Sequence, residues 1–285
     1  MKAQLIDGKL ISAEIKAEAA EEAAALKEKG IEPCLAVVLV GDNSASKVYV
    51  SNKEKACAAV GIRSVSHVLP EATTEEELLK LIDELNADQS VHGILVQMPV
   101  PKHIDDRKVI MAISPDKDVD CFHPMNVGYL HTGAKGFLPC TPAGIIELIK
   151  RSGYSIAGKN CVVIGRSNIV GKPVAMLLMQ ENGTVTICHS KTQDLAGICR
   201  GADIIVSATG KVNTVTADMV KEGAIIIDVG MNRNAEGKLC GDVDFENVKE
   251  VAGAITPVPG GVGPMTIAML MKNCNTAAKM QNGLR

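Results

Sequence analysis

The chain has 285 residues, too many for one small core and suited to two domains of ordinary size. Apolar residues make up 46% and charged residues 22%, which excludes a disordered, collagenous or coiled-coil chain. Thirty Lys+Arg against 33 Asp+Glu leave a formal charge of −3, and there are no Trp, three Tyr and three Phe, so neither an electrostatic footprint nor a stacking platform for nucleic acid is present.

A short strand near residues 4–6 leads into an Ala/Glu/Lys-rich helix that Gly30 ends as a C-cap. CLAVVLVG (34–41) reads as a buried strand, followed by a helix from about Ser44 to Val60. Residues 62–69 form the next strand, and Thr74 with Glu77 makes a capping box that opens another helix. HGILVQMP (92–99) is a strand that stops at proline. This alternation predicts a mostly parallel sheet covered on both faces. Residues 113–140 are rich in Pro, Gly, Asp and His, show no helical period, and are expected to be an irregular functional or boundary segment. Thr141-Pro142 then supplies an N-cap followed by proline at the first helical position, and the helix runs to about Arg151. A second series has strands at 160–165, 184–188, 203–207, 224–228 and 253–255. The expected organisation is α/β with two domains: 1–139 together with 266–285, and 140–265. The last helix, Met265 to about Met280, crosses back to the first.

The nine cysteines contain no C-x-x-C pair and no Cys/His cluster at metal spacing. No disulfide framework and no metal are expected, and the implied compartment is a reducing cytoplasm. The first ten residues lack the apolar run of a signal peptide. Val251–Met271 is uncharged, but its four Gly and three Pro argue against a bilayer span. A soluble protein with no membrane partner is expected.

CVVIGRSNIVGKPVAMLL (161–178) reads strand, glycine turn, helix, a context in which backbone N–H groups and a helix N-terminus receive a pyrophosphate. The usual G-x-G-x-x-G is altered: Ser167 takes the middle position and Gly171 arrives one residue late. An ordinary strand-to-helix turn would look similar. The second strand of this series ends Cys188-His189-Ser190-Lys191, without the carboxylate that binds ribose hydroxyls in NAD sites. With Arg166 in the turn, these features favour NADP over NAD.

Tyr49 and Lys53 stand at i and i+4 and share a helix face behind a buried strand. Gln97 ends an apolar strand, either bonded to a loop or facing a crevice. Asp118 and Asp120 lie in the irregular segment, where turn formation is the ordinary role. Cys140 precedes a helix start, but a packed thiol is the plainer expectation. The histidines show no H-E-x-x-H spacing, and neither a G-x-S-x-G elbow nor a G-x-x-x-x-G-K-[ST] loop occurs.

Nine strings, in order along nearly the whole chain, resemble the bifunctional methylenetetrahydrofolate dehydrogenase/methenyltetrahydrofolate cyclohydrolase family. They are YVSNK (49–53), GILVQMPVP (93–101), DKDVD (116–120), PCTPAG (139–144), GRSNIVGKP (165–173), CHSKT (188–192), DVGMNR (228–233), GDVDF (241–245) and TPVPGGVGPMT (256–266). The resemblance implies two α/β domains with a cleft between them, the second Rossmann-like and binding NADP, a folate substrate, and a homodimer. It makes Lys53 the catalytic acid/base, with Tyr49, Gln97 and Asp120 as catalytic neighbours that shape the folate pocket. Pro99 and the turn Pro259, Gly260, Gly261 and Val262 also touch the substrate. Gly165, Arg166, Ser167, Ser190 and Met231 line the cofactor. One position departs from the pattern: Cys121 stands where the family has Gly after Asp120. If that position takes φ > 0, Cys costs roughly 1 kcal/mol there. Two other readings remain at this point: a related NADP oxidoreductase acting on a keto or imino acid, and a non-catalytic NADP-binding regulator.

Overall fold

The computed structural model describes residues 2–134 and 136–284, the side chain of Ala45 excepted. The first half runs β1 (Gln4–Leu5), α1 (Gly8–Glu28), β2 (Cys34–Val40), α2 (Ser44–Val60), β3 (Arg63–Leu69), α3 (Glu75–Ala87), β4 (Gly93–Val96), α4 (Asp106–Ala112), α5 (Pro124–Thr132) and α6 (Cys140–Arg151). The second runs β5 (Asn160–Ile164), α7 (Gly171–Gln180), β6 (Thr184–Cys188), α8 (Leu195–Arg200), β7 (Ile204–Ser207), β8 (Ile225–Asp228), β9 (Asn232–Arg233), β10 (Leu239–Cys240), α9 (Phe245–Val248), β11 (Ala254–Ile255) and α10 (Val262–Gln281). The chain divides into two compact units, Ala13–Cys140 with Ile267–Arg285, and Met1–Ser12 with Thr141–Thr266.

The first of these is built on a parallel sheet of order β3-β2-β4. Every residue of β2 is buried, as a continuous apolar run in the middle of a covered sheet demands. Leu78, Ile82 and Leu85 of α3 join Val38 and Ile94 in one core. The expected capping box is present: Thr74 Oγ1 accepts the Glu77 N–H at 3.2 Å and the Glu77 carboxylate accepts the Thr74 N–H at 2.8 Å. At the start of α2 the Asn43 side-chain oxygen Oδ1 accepts the Ser46 N–H, and Gly61 at φ 81° closes its end. The segment expected to be irregular contains α5. His123 caps it by accepting the Met125 N–H on Nδ1, Pro124 follows, and Gly133 at φ 70° ends it. These local start and stop signals outweigh a weak apolar period.

The second unit carries a parallel sheet of order β1-β11-β8-β7-β5-β6. Residues 1–12 were expected with the first sheet. Instead Gln4 and Leu5 pair with Ala254 and Ile255, because β11 has an open edge that β1 completes. Helix α6 starts at Cys140, and Thr141, expected as its N-cap, lies inside it with Oγ1 hydrogen-bonded to Thr266 Oγ1 at 2.8 Å. The small antiparallel pair β9–β10 was not anticipated. Helix α10 begins in this unit and continues in the other from Ile267. Among the described residues, no helix is long and apolar enough to cross a membrane.

Candidate active site

Helix α2 presents Tyr49 and Lys53 one turn apart. Tyr49 is 40% exposed, whereas Lys53 is 7% exposed. A charged side chain buried that far must find a partner. Lys53 Nζ donates to Gln97 Oε1 at 2.9 Å, and Gln97 Nε2 donates to the Met98 carbonyl at 2.8 Å, so the amide is oriented with its oxygen toward the amine. Gln97 follows β4, tied through its N–H to the Val38 carbonyl at 2.8 Å, and thus sits at the carboxyl ends of the strands. Burial pushes the Asp120 carboxyl above the usual carboxylate range, helped by Asp118, against the pull of the Lys53 charge and a hydrogen bond from the Cys140 thiol. Lys53, Gln97 and Asp120 therefore form one electrostatic group.

Asp120 is held by its flanking residues. The Ile94 N–H donates to the Lys117 carbonyl at 2.8 Å, extending the β4 edge. A Cβ on Gly93 would come within 2.7 Å of Val119 Cγ1, so this strand position must be glycine. Lys117 is buried, and its Nζ donates to the Leu85 and Asp88 carbonyls at the end of α3, at 3.0 and 2.7 Å. Burial lowers the affinity of that amine for its proton. The Asp118 carboxylate accepts the N–H groups of Phe122 and His123 and the Asn126 amide. Of the two aspartates singled out in the sequence, Asp118 organises the turn and Asp120 couples to Lys53. Cys121 has φ 61°, the left-handed region, and its buried thiol donates to the Phe137 carbonyl at 3.2 Å. Asn273 of α10 donates to the Val119 and Leu138 carbonyls, both at 2.8 Å. Burial pushes the Cys140 thiol far up, and Sγ lies 3.4 Å from the Val119 carbonyl oxygen, so Cys140 is a packed thiol rather than a nucleophile. Pro99 lines a hollow with Val40, Gly41, Asp42, Asn43 and Glu71.

In the other unit, β5 feeds the glycine turn. Gly165 has φ 129°, and a Cβ there would strike the Ala208 carbonyl oxygen. A Cβ on Gly171 would strike the Gly165 carbonyl oxygen, which explains why glycine appears at this later position: it lets α7 start against the strand end. Ser167 Oγ accepts the N–H groups of Val170 and Gly171 at 3.2 Å each, stabilising the turn in place of the missing middle glycine. Arg166, Ser190 and Lys191 are exposed, and Cys188 is buried. The turn after β6 is closed by His189 and Thr192, whose backbone and side-chain bonds leave no acidic group at the strand end. The residues present fit a dinucleotide carrying an extra phosphate. Met231 is exposed in the same unit. The 259–262 turn belongs to the same unit: Pro259 is exposed and Val262 buried, Gly260 has φ 107°, and a Cβ on Gly261 would lie 2.6 Å from the Pro257 carbonyl oxygen.

Sequence reasoning passed over two buried carboxylates in this unit. Asp228 ends β8 and accepts the N–H groups of Gly230, Asp242 and Val243 at 2.9, 2.9 and 3.0 Å. Burial pushes its carboxyl up to about 6, against those three bonds. Asp242 is fully buried beside it. The available signal was an acid closing an otherwise apolar strand, followed by a second acid in GDVDF.

Two family models match the chain: a tetrahydrofolate dehydrogenase/cyclohydrolase catalytic domain over residues 6–120, and the NAD(P)-binding domain of the same enzymes over 139–282. A bifunctional protein FolD from Agathobacter rectalis is 63% identical over 277 residues, covering 97% of this chain and 99% of its own length. The crystal structure of bifunctional FolD from Campylobacter jejuni superposes with a TM-score of 0.95 at 54% identity, covering 98% and 99% of the two chains. A Trypanosoma brucei dehydrogenase-cyclohydrolase, solved with NADP cofactor and an inhibitor, gives 0.92 at 42% identity, covering 98% of each.

Proposed function

The chain belongs to the tetrahydrofolate dehydrogenase/cyclohydrolase family, and on that premise we propose that Lys53 is its acid–base residue, with Tyr49, Gln97 and Asp120 forming the folate pocket around it. The protein is an NADP-dependent bifunctional enzyme that oxidises 5,10-methylenetetrahydrofolate to the 5,10-methenyl compound and hydrolyses this to 10-formyltetrahydrofolate. Neither a keto- or imino-acid oxidoreductase nor a non-catalytic regulator is favoured by these relatives.

In the oxidation, a carbon between two folate nitrogens gives up hydride, and the nitrogen lone pairs stabilise the cation that remains. Positioning is the main task left to the protein. NADP, when bound, supplies the hydride acceptor. In the hydrolysis, water adds to the methenyl carbon and one carbon–nitrogen bond opens. A proton must leave the water and another must reach the departing nitrogen. Lys53 Nζ carries both. The single observation behind this role is the burial of Lys53 against the neutral Gln97 amide, whose oxygen orients the amine. Asp120 offers a carboxyl to the N–H groups of the pterin ring, and the exposed Tyr49 offers an aromatic face. Pro99, in the same unit as Lys53, is a further substrate contact. On the cofactor side, Gly165 and Ser167 take the pyrophosphate, Arg166 and Ser190 the additional phosphate, and Met231 the remaining surface.

The family resemblance also supports a homodimer, and nine free cysteines support a reducing cytoplasm. Replacing Lys53 with Gln tests the assignment. Hydrolysis of the methenyl compound is expected to fall about 10²–10⁴-fold, the usual worth of acid–base help, while oxidation survives in part. A wild-type hydrolysis rate in Lys53→Gln would refute the role.

A further inference from the structure

The larger sheet changes direction at β5. Its next strand, β6, pairs on one side, and the one after, β7, pairs on the other. Ligands of open parallel sheets bind where the strand order reverses, outside the carboxyl ends. Here that crevice is walled by the Gly165 turn and by residues 207–211, which run on from the end of β7. The walls touch: the Ala208 N–H donates to the Ile164 carbonyl at 2.8 Å, and Gly165 approaches Ala208 so closely that no Cβ fits between them.

Residues 208–211 have no regular structure of their own, yet with Ser207 at the end of β7 they are gathered onto one buried group. Asp242 Oδ2 accepts the Thr209 N–H at 2.7 Å, the Thr209 hydroxyl at 3.0 Å, the Ser207 hydroxyl at 3.2 Å and the Gly210 N–H at 3.3 Å. Its Oδ1 accepts the Lys211 N–H at 3.1 Å and the Asn232 amide at 2.9 Å. A carboxylate has about four acceptor positions, so six donors use its whole capacity. Asp242 is itself anchored, because its N–H donates to Asp228 Oδ1 at 2.9 Å. Asp228 also fixes Gly230, next to Met231, and its own N–H donates to Thr256 Oγ1 at 2.8 Å. Gly230 and Gly241 both sit where a Cβ would strike one of these two carboxylates.

We propose that Asp242 is a positioning residue for the oxidation step alone: its carboxylate sets the 207–211 wall of the cofactor crevice, while the hydrolysis at Lys53 does not depend on it. The proposal rests on the assignment of the Gly165 turn to NADP. Removing the carboxylate frees three backbone N–H groups and two hydroxyls to rearrange, and a displacement of about 1 Å at a remote support costs on the order of 10²-fold.

The test compares both reactions in the same preparation. Asp242→Ala is expected to raise the NADP dissociation constant at least about 10-fold and to lower dehydrogenase kcat/KM for NADP in step. Hydrolysis of preformed methenyltetrahydrofolate, assayed without NADP, should fall far less. Asp242→Asn keeps the volume but puts an amide donor against N–H donors, so it should fold if Ala does not and lie between Ala and wild type. Equal losses in both reactions, or unchanged NADP binding with only a lower melting temperature, would overturn the proposal. Arg166→Ala separates the premise from the inference. If that variant also binds NADP normally, the site assignment has failed; if it binds weakly while the Asp242 variants do not, only the role of Asp242 has.

Discussion

The two units solve opposite problems with buried polar groups. Around Lys53, among the described residues, an amide oxygen at 2.9 Å holds the amine, and the nearby carboxyl is coupled to it through charge. Around Asp242 the bonding is saturated, with six donors on one carboxylate and three more on Asp228. A group that must take up and release protons needs free bonding capacity during the reaction. A group that only has to hold backbone in place gains from having none. On the roles proposed above, dense polar bonding at Asp242 serves as scaffolding, and the lighter bonding at Lys53 leaves its amine able to exchange protons.

Beyond Lys53→Gln, the largest test of this contrast is Arg166→Ala. If the turn after β5 only cradles phosphates, the substitution should weaken NADP by roughly 1.5–3 kcal/mol, the worth of a charge-assisted contact, with little change for NAD. Steady-state kinetics with both cofactors measure it, and equal wild-type efficiency with the two would break the assignment. A somewhat smaller effect is expected from pH. Asp228 is raised to about 6 by burial, above the unfolded value near 3.9, so the native state gains the extra proton first. Its stabilisation is present at low pH and is lost as pH rises through about 6. Urea unfolding of wild type relative to Asp228→Asn should show roughly 2 kcal/mol more advantage for wild type at pH 4.5 than at pH 7.5. A flat difference would mean the carboxyl is not strained by its burial.

The smallest effect belongs to Cys121. Its φ of 61° makes a side chain costly by about 1 kcal/mol, yet the thiol also satisfies the Phe137 carbonyl. Cys121→Gly is therefore expected to keep both activities and to change unfolding free energy by no more than about 1 kcal/mol. Loss of both reactions in that variant would mean the thiol has a chemical part to play.

Elements governed by neighbours in sequence were readable without coordinates. The capping box at Thr74, the stop at Gly61 and the buried run of β2 are all local, and each lies where the residues place it. Lys53 was visible through its place one turn from Tyr49 behind a buried strand, and Gln97 as a polar end to an apolar strand, although only the fold brings them to 2.9 Å across 44 positions. What escaped was non-local. Nothing in Gln4–Leu5 names β11 as its partner, because two-residue pairing is decided by an open sheet edge 250 positions away. Asp242 lay inside a recognisable string, but its role did not show there, since its six donors come from two distant stretches of chain, 207–211 and Asn232. The late Gly171 looked like a flaw in a motif until the approach of α7 to the strand end gave its reason.

The way the chain is shared between the units has a consequence for synthesis. The strand made first, β1, waits for β11, the last strand of the larger sheet, and the three-stranded unit waits for α10 to deliver Asn273 and Asn275 to the Val119, Leu138 and Ala19 carbonyls. Each unit is thus closed by residues from the far end of the polypeptide. A ribosome-bound fragment ending before residue 254 carries both sheets with neither closure made, so the nascent protein is committed to the native arrangement only as its final helix emerges.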